Sequence, residues 1–575
     1  MRKTLSYLKS YKKECILAPL FKLLEAGFEL FVPIVIAQII DVGVAGKNTG
    51  YVVGRVGLLA ILAVCGLAFA ITAQYFAAKA AVGFAAKLRH ALFAKIQSLS
   101  YADTDKLGTP SLITRMTADV EQVQQGVNMF LRLLLRSPFV VFGAAIMAFT
   151  VDAKSAVTFA VTIPVISAVV MTLMTVTIPL YRKVRTKLDS LLGITRENLS
   201  GVRVIRAFRK ENAEYERFVS TNGELTRGQK FVGRISALMN PLAYVLINCG
   251  VIALIYVGAL RVGSGAISQG QVVALYNYMS QILVELVKLA MLIITLTRAV
   301  ACAKRVESVL TTENSMDENA DMAESPSAIG GDIEFDDVEL TYPEAGAPSL
   351  TGVSFRAPGG STVGIIGGTG SGKTSLVNLI PRFYDVTKGS VKVGGTDVRK
   401  LNAKALRKNI GVVPQEAALF KGTIRSNLCW GKEDATDDQL WEALGTAQAK
   451  QVALDKGGLD AAVEQAGRNF SGGQRQRLTV ARALVGKPKI LILDDSASAL
   501  DLKTDAMLRA AISGLDYGPT VFIVSQRAAA VMNADLIIVL DEGNVVGKGT
   551  HAELLKNCAE YAEIYYSQFK KEADA

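Results

Sequence analysis

Six long apolar stretches, near residues 15–40, 56–82, 128–150, 155–181, 240–262 and 271–298, occupy the first half of this 575-residue chain, and no comparable run follows them. A helix needs about 20 largely apolar residues to cross the hydrocarbon of a bilayer. Lipid admits only helices or closed barrels, because every backbone amide there must be paired internally. The sequence therefore predicts a membrane all-α six-helix domain over residues 1–310, an acidic linker over 311–331, and a second domain facing water over 332–575. Charged residues still make up 20% of the chain, as expected when apolar spans alternate with charged extensions.

The formal net charge of +11 comes from basic residues at the N-terminus and between the spans, with no aromatic-interleaved basic patch. That pattern favours anionic lipid headgroups over nucleic acid as the partner. Lys87, Arg89, Lys95, Lys106 and Arg115 lie between the second and third stretches, and the segment from Arg182 to Arg234 separates the fourth from the fifth. The connections Gly43 to Gly50, Val151 to Ala153 and Gly263 to Gly270 carry few bases. The bias of basic residues to the inner face then predicts a multi-pass protein of the cytoplasmic membrane, with both termini and the second domain inside. Apolar Val202, Ile205 and Phe208 keep a helical spacing within one long loop, so these loops are expected to extend the spans as helices into water. The basic start of the chain, Arg2 to Lys13, precedes an apolar run without a small-residue cleavage site and is expected to be retained. The six cysteines show neither metal-ligand spacing nor a disulfide framework.

In the first span Lys22, Glu25 and Glu29 fall three and four residues apart, on one helical face. Charge at that depth is costly unless it faces a partner or a polar cavity. Two readings stay open: a translocation or subunit-pairing face, or a Lys22–Glu25 pair that merely solvates the helix end. Gln74, Asn248, Asn277 and Gln281 are expected to satisfy neighbouring helices.

Beyond the acidic segment with Glu313, Asp317, Glu318, Asp321, Glu324 and Pro326, strands and helices alternate: Ile333 to Leu340, Ser361 to Ile366, a helix from Lys373, Ile490 to Leu493, Thr520 to Val524 and Leu536 to Leu540. This order predicts an α/β domain with a largely parallel sheet. The strand ending in Ile366 runs into Gly367, Gly368, Thr369, Gly370, Ser371, Gly372, Lys373, Thr374 and Ser375, a complete phosphate-binding loop between strand and helix. Its amides can turn around phosphate oxygens at a helix N-terminus, Lys373 adds a positive charge, and the Thr374 hydroxyl can ligate Mg2+. The apolar strand Ile490 to Leu493 ends in Asp494, the placement of an acid beside such a magnesium ion.

Between these two motifs lies Phe470-Ser471-Gly472-Gly473-Gln474-Arg475-Gln476-Arg477, which closely resembles the signature sequence of ABC transporters. In that family the signature contacts ATP held by the opposite subunit, so the resemblance assigns this contact to Ser471, Gly472, Gly473 and Gln474. It further implies that Tyr342 stacks on adenine, that Gln415 meets Mg2+ and the attacking water, and that Ser498 and Asp501 belong to a loop crossing between paired ATP-binding domains. The N-terminal half is similar to the six-span exporter type, with Glu197 to Phe208 resembling its intracellular coupling region. The resemblance implies ATP and Mg2+ as cofactors and membrane lipid as surroundings. It implies an ATPase that moves a drug, lipid or peptide outward.

Two positions depart from the family pattern. Asp495 stands where hydrolysing members carry a glutamate that polarises the attacking water, and Gln526 stands where they carry a histidine facing the γ-phosphate. Aspartate withdraws the carboxylate by about 1.5 Å, one carbon–carbon bond, and a displacement of about 1 Å can cost about 100-fold in rate. Glutamine donates a hydrogen bond but cannot take the charge of an imidazolium. The expectation is a hydrolytically degenerate site resembling that of one subunit of bacterial heterodimeric exporters, paired with a second, non-identical half-transporter. The alternatives are a homodimer with slow turnover, or an ATP-gated channel or non-pumping regulator.

Overall fold

The computed structural model describes residues 2–316, 330–343, 345–496 and 499–569. It comprises two compact units, Met1–Gln97 with Pro110–Thr312, and Ser98–Thr109 with Glu313–Ala575. The acidic residues Asp317, Glu318, Asp321, Glu324 and Pro326 of the expected linker lie outside the described residues.

The first unit is helical throughout. Thr49–Gln97, Ala153–Ser200 and Gln269–Thr311 are continuous helices of 49, 48 and 43 residues. At about 1.5 Å per residue they run about 65–75 Å, more than twice the ~30 Å of hydrocarbon. The spans therefore continue as helices beyond any membrane, as the periodicity predicts. Among the described residues five helices are long and apolar enough to cross, Lys3–Val44, Thr49–Gln97, Thr109–Val151, Tyr244–Gly263 and Gln269–Thr311. The fourth expected span falls within the continuous helix Ala153–Ser200, where the described apolar stretch is Ala153–Val169.

Small residues let the first two spans approach closely: Ala73, Ala77, Ala80 and Ala81 of the second are almost wholly buried. Between the first and last spans, the buried Tyr278 hydroxyl donates to the carbonyl of Leu30 at 2.7 Å. Asn248 and Asn277 depart from expectation. Their amides donate within their own helices, to Tyr244 and Val273, since a carbonyl four residues back is always within reach. Gln74 is exposed, and Gln281 alone of the four reaches another helix, donating to the Glu29 carbonyl at 3.4 Å.

The second unit is built on a six-stranded sheet. Its spatial order is Asn544–Gly549, Leu536–Asp541, Thr362–Gly367, Thr520–Ser525, Ile490–Asp494 and Ile410–Val413, parallel except for the first pair. Val363, Ile365, Ile490, Ile492, Phe522 and Val524 are buried, the near-continuous apolar runs of a sheet covered on both faces. Ile333–Leu340 does not join this sheet. It pairs antiparallel with Leu350–Ala357 and Lys388–Val393 in a separate four-stranded sheet, a placement that strand alternation cannot distinguish. The helix Tyr101–Leu107, between the second and third apolar stretches in sequence, belongs to this unit: Tyr101 lies 4.5 Å from the Phe383 ring, and Asp105 accepts from the Tyr384 hydroxyl at 2.6 Å.

Gly364 sits mid-strand just before the phosphate loop, and a Cβ there would lie 2.6 Å from Cβ of Val531. Gly364→Val is expected to destabilise the second unit by about 1–3 kcal/mol through overpacking. Thermal unfolding of the purified chain, followed with and without nucleotide, checks this.

Candidate functional site

The parallel registers bring three strand ends together. Asp494 pairs with Val524, and Ile366 pairs with Ser525. The loop after Ile366, the acid at the end of its strand and the residues after Ser525 therefore meet at the carboxyl edge of one sheet, where open α/β sheets bind ligands. A cavity of about 470 Å³ opens there, lined by Thr369, Gly370, Gly372, Lys373, Thr374, Ser375, Gln415, Asp494, Asp495 and Gln526.

The loop's path depends on glycine. Gly372 has φ +94°, and a Cβ on it would lie 2.8 Å from the carbonyl oxygen of Ser349. The turn delivers Lys373 to the first position of the helix Lys373–Asn378. There its ammonium donates to the carbonyls of Gly367 and Gly368 at 2.9 and 2.5 Å, and to Ser371 Oγ at 3.5 Å. Burial holds that ammonium below its ordinary value, against the opposing pull of Asp495 and Asp494. A cation turned onto neutral carbonyls can exchange them for phosphate oxygens with a gain in electrostatic energy.

Thr374 Oγ1 donates to Asp494 Oδ1 at 3.0 Å. Burial raises the Asp494 carboxyl above its ordinary value, Thr374 and Lys373 oppose the rise, and Asp495 adds to it. A hydroxyl and a carboxylate in contact, with the Gln415 amide on the same cavity wall, are oxygen donors suited to a hard cation that shares its remaining positions with phosphate and water. The residues therefore fit Mg2+ bound with a nucleotide. Asp495 is half-buried, with φ +45° and its amide donating to the carbonyl of Val524 at 3.0 Å. Burial pushes its carboxyl up, opposed by Arg527 and Lys373. Gln526 is exposed at the cavity wall.

Tyr342 does not line this cavity. Its hydroxyl donates to Ser375 Oγ at 2.9 Å, and its ring meets Tyr384 edge-on at 5.0 Å. Ser471–Gln474 also lies off the cavity: Ser471 caps the helix Gly472–Leu484 through a reciprocal box with Gln474, while Ser471 and Gly472 stay exposed. Asp501 caps the helix Leu502–Ser513, accepting from the Thr504 amide at 2.9 Å. Ser498 lies outside the described residues. Sequence reading missed Ser349, Glu542 and Gly543 on the cavity wall. The Asp541-Glu542-Gly543-Asn544 turn between two apolar strands was a local hint, but its position at the loop depends on the sheet order.

A nucleotide-sized cavity of this make, on a chain with membrane-length helices, defines an ATP-driven membrane transporter. Residues 15–286 match the family described as ABC transporter transmembrane region, and residues 350–498 match that described as ABC transporter. The chain belongs to the ABC transporter family, as an exporter-type half-transporter whose ATPase domain couples ATP to transport. It is 37% identical over 98% of its length to an uncharacterized ABC transporter ATP-binding protein of Mycobacterium tuberculosis, covering 97% of that protein. It is also 37% identical to the uncharacterized ABC transporter ATP-binding protein YfiB of Bacillus subtilis, over 100% of this chain and 99% of YfiB. An ATP-dependent lipid A-core flippase of Syntrophus aciditrophicus is 30% identical over 85% of this chain and 81% of the flippase.

Lys373→Ala removes the one ammonium held by the loop carbonyls and is expected to lower ATP affinity at least about tenfold, the loss of a charge-assisted contact. Equilibrium binding of a fluorescent ATP analogue measures it. In the same assay the Mg2+-dependent part of binding is expected to weaken on acidification sooner than an ordinary carboxylate would dictate, because the raised Asp494 takes up its proton at higher pH. Asp494→Asn should abolish that pH dependence.

Proposed function

We propose that this chain is the degenerate-site subunit of a heterodimeric ABC exporter in the cytoplasmic membrane, with its ATP-binding domain and both termini inside. The observation that carries this reading is a cavity equipped to bind nucleotide, lined by Lys373 and by Thr374 bonded to Asp494, whose wall presents the shortened carboxylate of Asp495 and the uncharged amide of Gln526. Both changes remove groups that act on the attacking water or the developing charge, and neither removes a binding contact.

In this reading the loop amides and Lys373 bind the phosphates, and Thr374, Asp494 and Gln415 hold Mg2+, which would supply charge neutralisation at the terminal phosphate when bound. Asp495 orients water from too far back, so turnover at this site is slow. The capping box Ser471–Gln474, with Ser471 and Gly472 exposed and none of it lining the chain's own cavity, is free to complete the site of a second, non-identical half-transporter. ATP drives closure of the paired domains to the extent that the closed pair binds it better than the open pair does. The edge contact of Tyr342 with Tyr384, and that of Tyr384 with Asp105, support a path by which nucleotide occupancy reaches the segment between the second and third spans. The kinship with a lipid A-core flippase supports an amphipathic cargo, whether drug, lipid or peptide.

The test is ATPase activity of the full chain alone and with a half-transporter carrying glutamate and histidine at the matching positions. The pair is expected to hydrolyse ATP at least tenfold faster than the chain alone, and the partner's Glu→Gln substitution to abolish that activity. Asp495→Glu with Gln526→His should raise turnover of the chain alone by about 10- to 100-fold, the scale of one corrected displacement of about 1 Å. Robust hydrolysis by the unmodified chain alone would establish a homodimer instead.

A further inference from the structure

Three helices of the membrane unit bring charges to one depth. Glu29 lies fifteen residues before Val44, Arg136 fifteen before Val151, and Glu285 sixteen after Gln269, the residues that end their helical segments at the short connections. At about 1.5 Å per residue each charge stands about 22–24 Å from that end, still inside ~30 Å of hydrocarbon. Arg136 is 5% exposed and pairs with both acids, at 2.6 Å to Glu29 Oε2 and in a close contact to Glu285 Oε1. Beside them opens a cavity of about 390 Å³ whose polar wall is Glu29, Arg136, Asn277, Ser280, Gln281, Glu285 and Lys288.

The two acids are not equivalent. Glu285 is saturated: besides Arg136 it accepts from Ser137 Oγ at 2.8 Å and from Lys288 Nζ at 2.8 Å, and its side chain is 4% exposed. Glu29 accepts from Arg136 through Oε2, and its side chain is 43% exposed. Gln281, beside it, has a buried Oε1 with no hydrogen-bond partner among the described residues. Buried acceptors without donors cost free energy, and the exceptions call for a missing donor. Arg136 pairs with both acids and Lys288 with Glu285, so two positive and two negative charges balance there. Arg136 Nε also lacks a partner among the described residues but is buried, whereas the exposed charge on the cavity wall is the Glu29 carboxylate. A donor carrying positive charge meets an accessible carboxylate and an amide oxygen in need of one.

We propose that this cavity binds the protonated amine of a cationic amphiphile, with Glu29 and Gln281 accepting its N–H groups and the surrounding apolar wall of Val32, Val140 and Val284 taking its hydrocarbon part. The proposal rests on the exporter reading and narrows its cargo to amine-bearing amphiphiles. Lys22 and Glu25, one to two helical turns away, pair with each other at 2.5–2.7 Å and do not compete for the ligand. Lys22 and Glu25 form a largely buried pair, their side chains 13% and 10% exposed, rather than one that solvates the helix end, while Glu29 on the same face lines the cavity.

Binding is measured without nucleotide, by fluorescence anisotropy, on the full chain in nanodiscs of neutral phosphatidylcholine with empty nanodiscs subtracted. Three probes of one size serve: dansylcadaverine, its N-acetyl derivative, and dansyl aminohexanoate, respectively cationic, neutral and anionic. The cationic probe is expected to bind at least tenfold more tightly than the other two. Glu29→Gln should weaken it by about 10- to 100-fold, the span of a charge-assisted hydrogen bond, and Gln281→Met by a smaller factor. Retained binding of a fluorescent ATP analogue by each variant shows that it is folded. Equal affinity for the neutral or anionic probe, affinity unchanged by Glu29→Gln, or no binding of any probe overturns the proposal. None of these outcomes depends on a partner chain or on hydrolysis, so failure here is distinct from failure of the heterodimer reading.

Discussion

The 3.0 Å contact between Thr374 and Asp494 spans two strand spacings of the parallel sheet. Thr362–Gly367 and Ile490–Asp494 are not neighbours; Thr520–Ser525 lies between them, and its register with each sets where loop and acid end. With strands about 4.8 Å apart, the helix Lys373–Asn378 must start directly over the intervening strand for the hydroxyl to reach the carboxylate. Gly364, Gly372 and the apolar filling of the sheet all serve that placement. A slip of one register in either pairing would flip side chains between faces and separate the groups that hold nucleotide and metal.

The membrane unit solves a different problem in a different solvent. In hydrocarbon an isolated charge is expensive, so Glu29, Arg136, Glu285 and Lys288 occur as a chain of pairs on three helices. One guanidinium with five donors can bridge two carboxylates from separate helices, which a lysine on its point-like ammonium does less well. The same network fixes the contact of the first, third and sixth spans and leaves one carboxylate facing a cavity. Packing and ligand recognition thus rest on the same residues.

At the nucleotide cavity, the phosphate loop and its Thr374–Asp494 contact stand apart in sequence from Gln526, though they share one cavity wall with it and with Asp495. Lys373 is held by the carbonyls of Gly367 and Gly368, and Thr374 donates to Asp494. Asp495 sits at φ +45°, a left-handed conformation that aspartate tolerates better than longer side chains do.

Much of this was legible from residue order. The phosphate loop, the acid ending its strand and the signature are local patterns whose backbone geometry follows from glycine placement and period, and they stand in the structure as cavity wall, strand end and helix cap. Span length and apolarity likewise announced a membrane unit with helices prolonged into water. What the sequence could not decide were pairings between distant residues: Arg136 with Glu285 across 149 positions, Asp105 with Tyr384 across 279, and Ile333–Leu340 with the antiparallel rather than the parallel sheet. A helix face or a strand alternation records only which side of an element is buried. Which element covers it is settled by packing, register and charge compensation, and those exist only once the chain is folded.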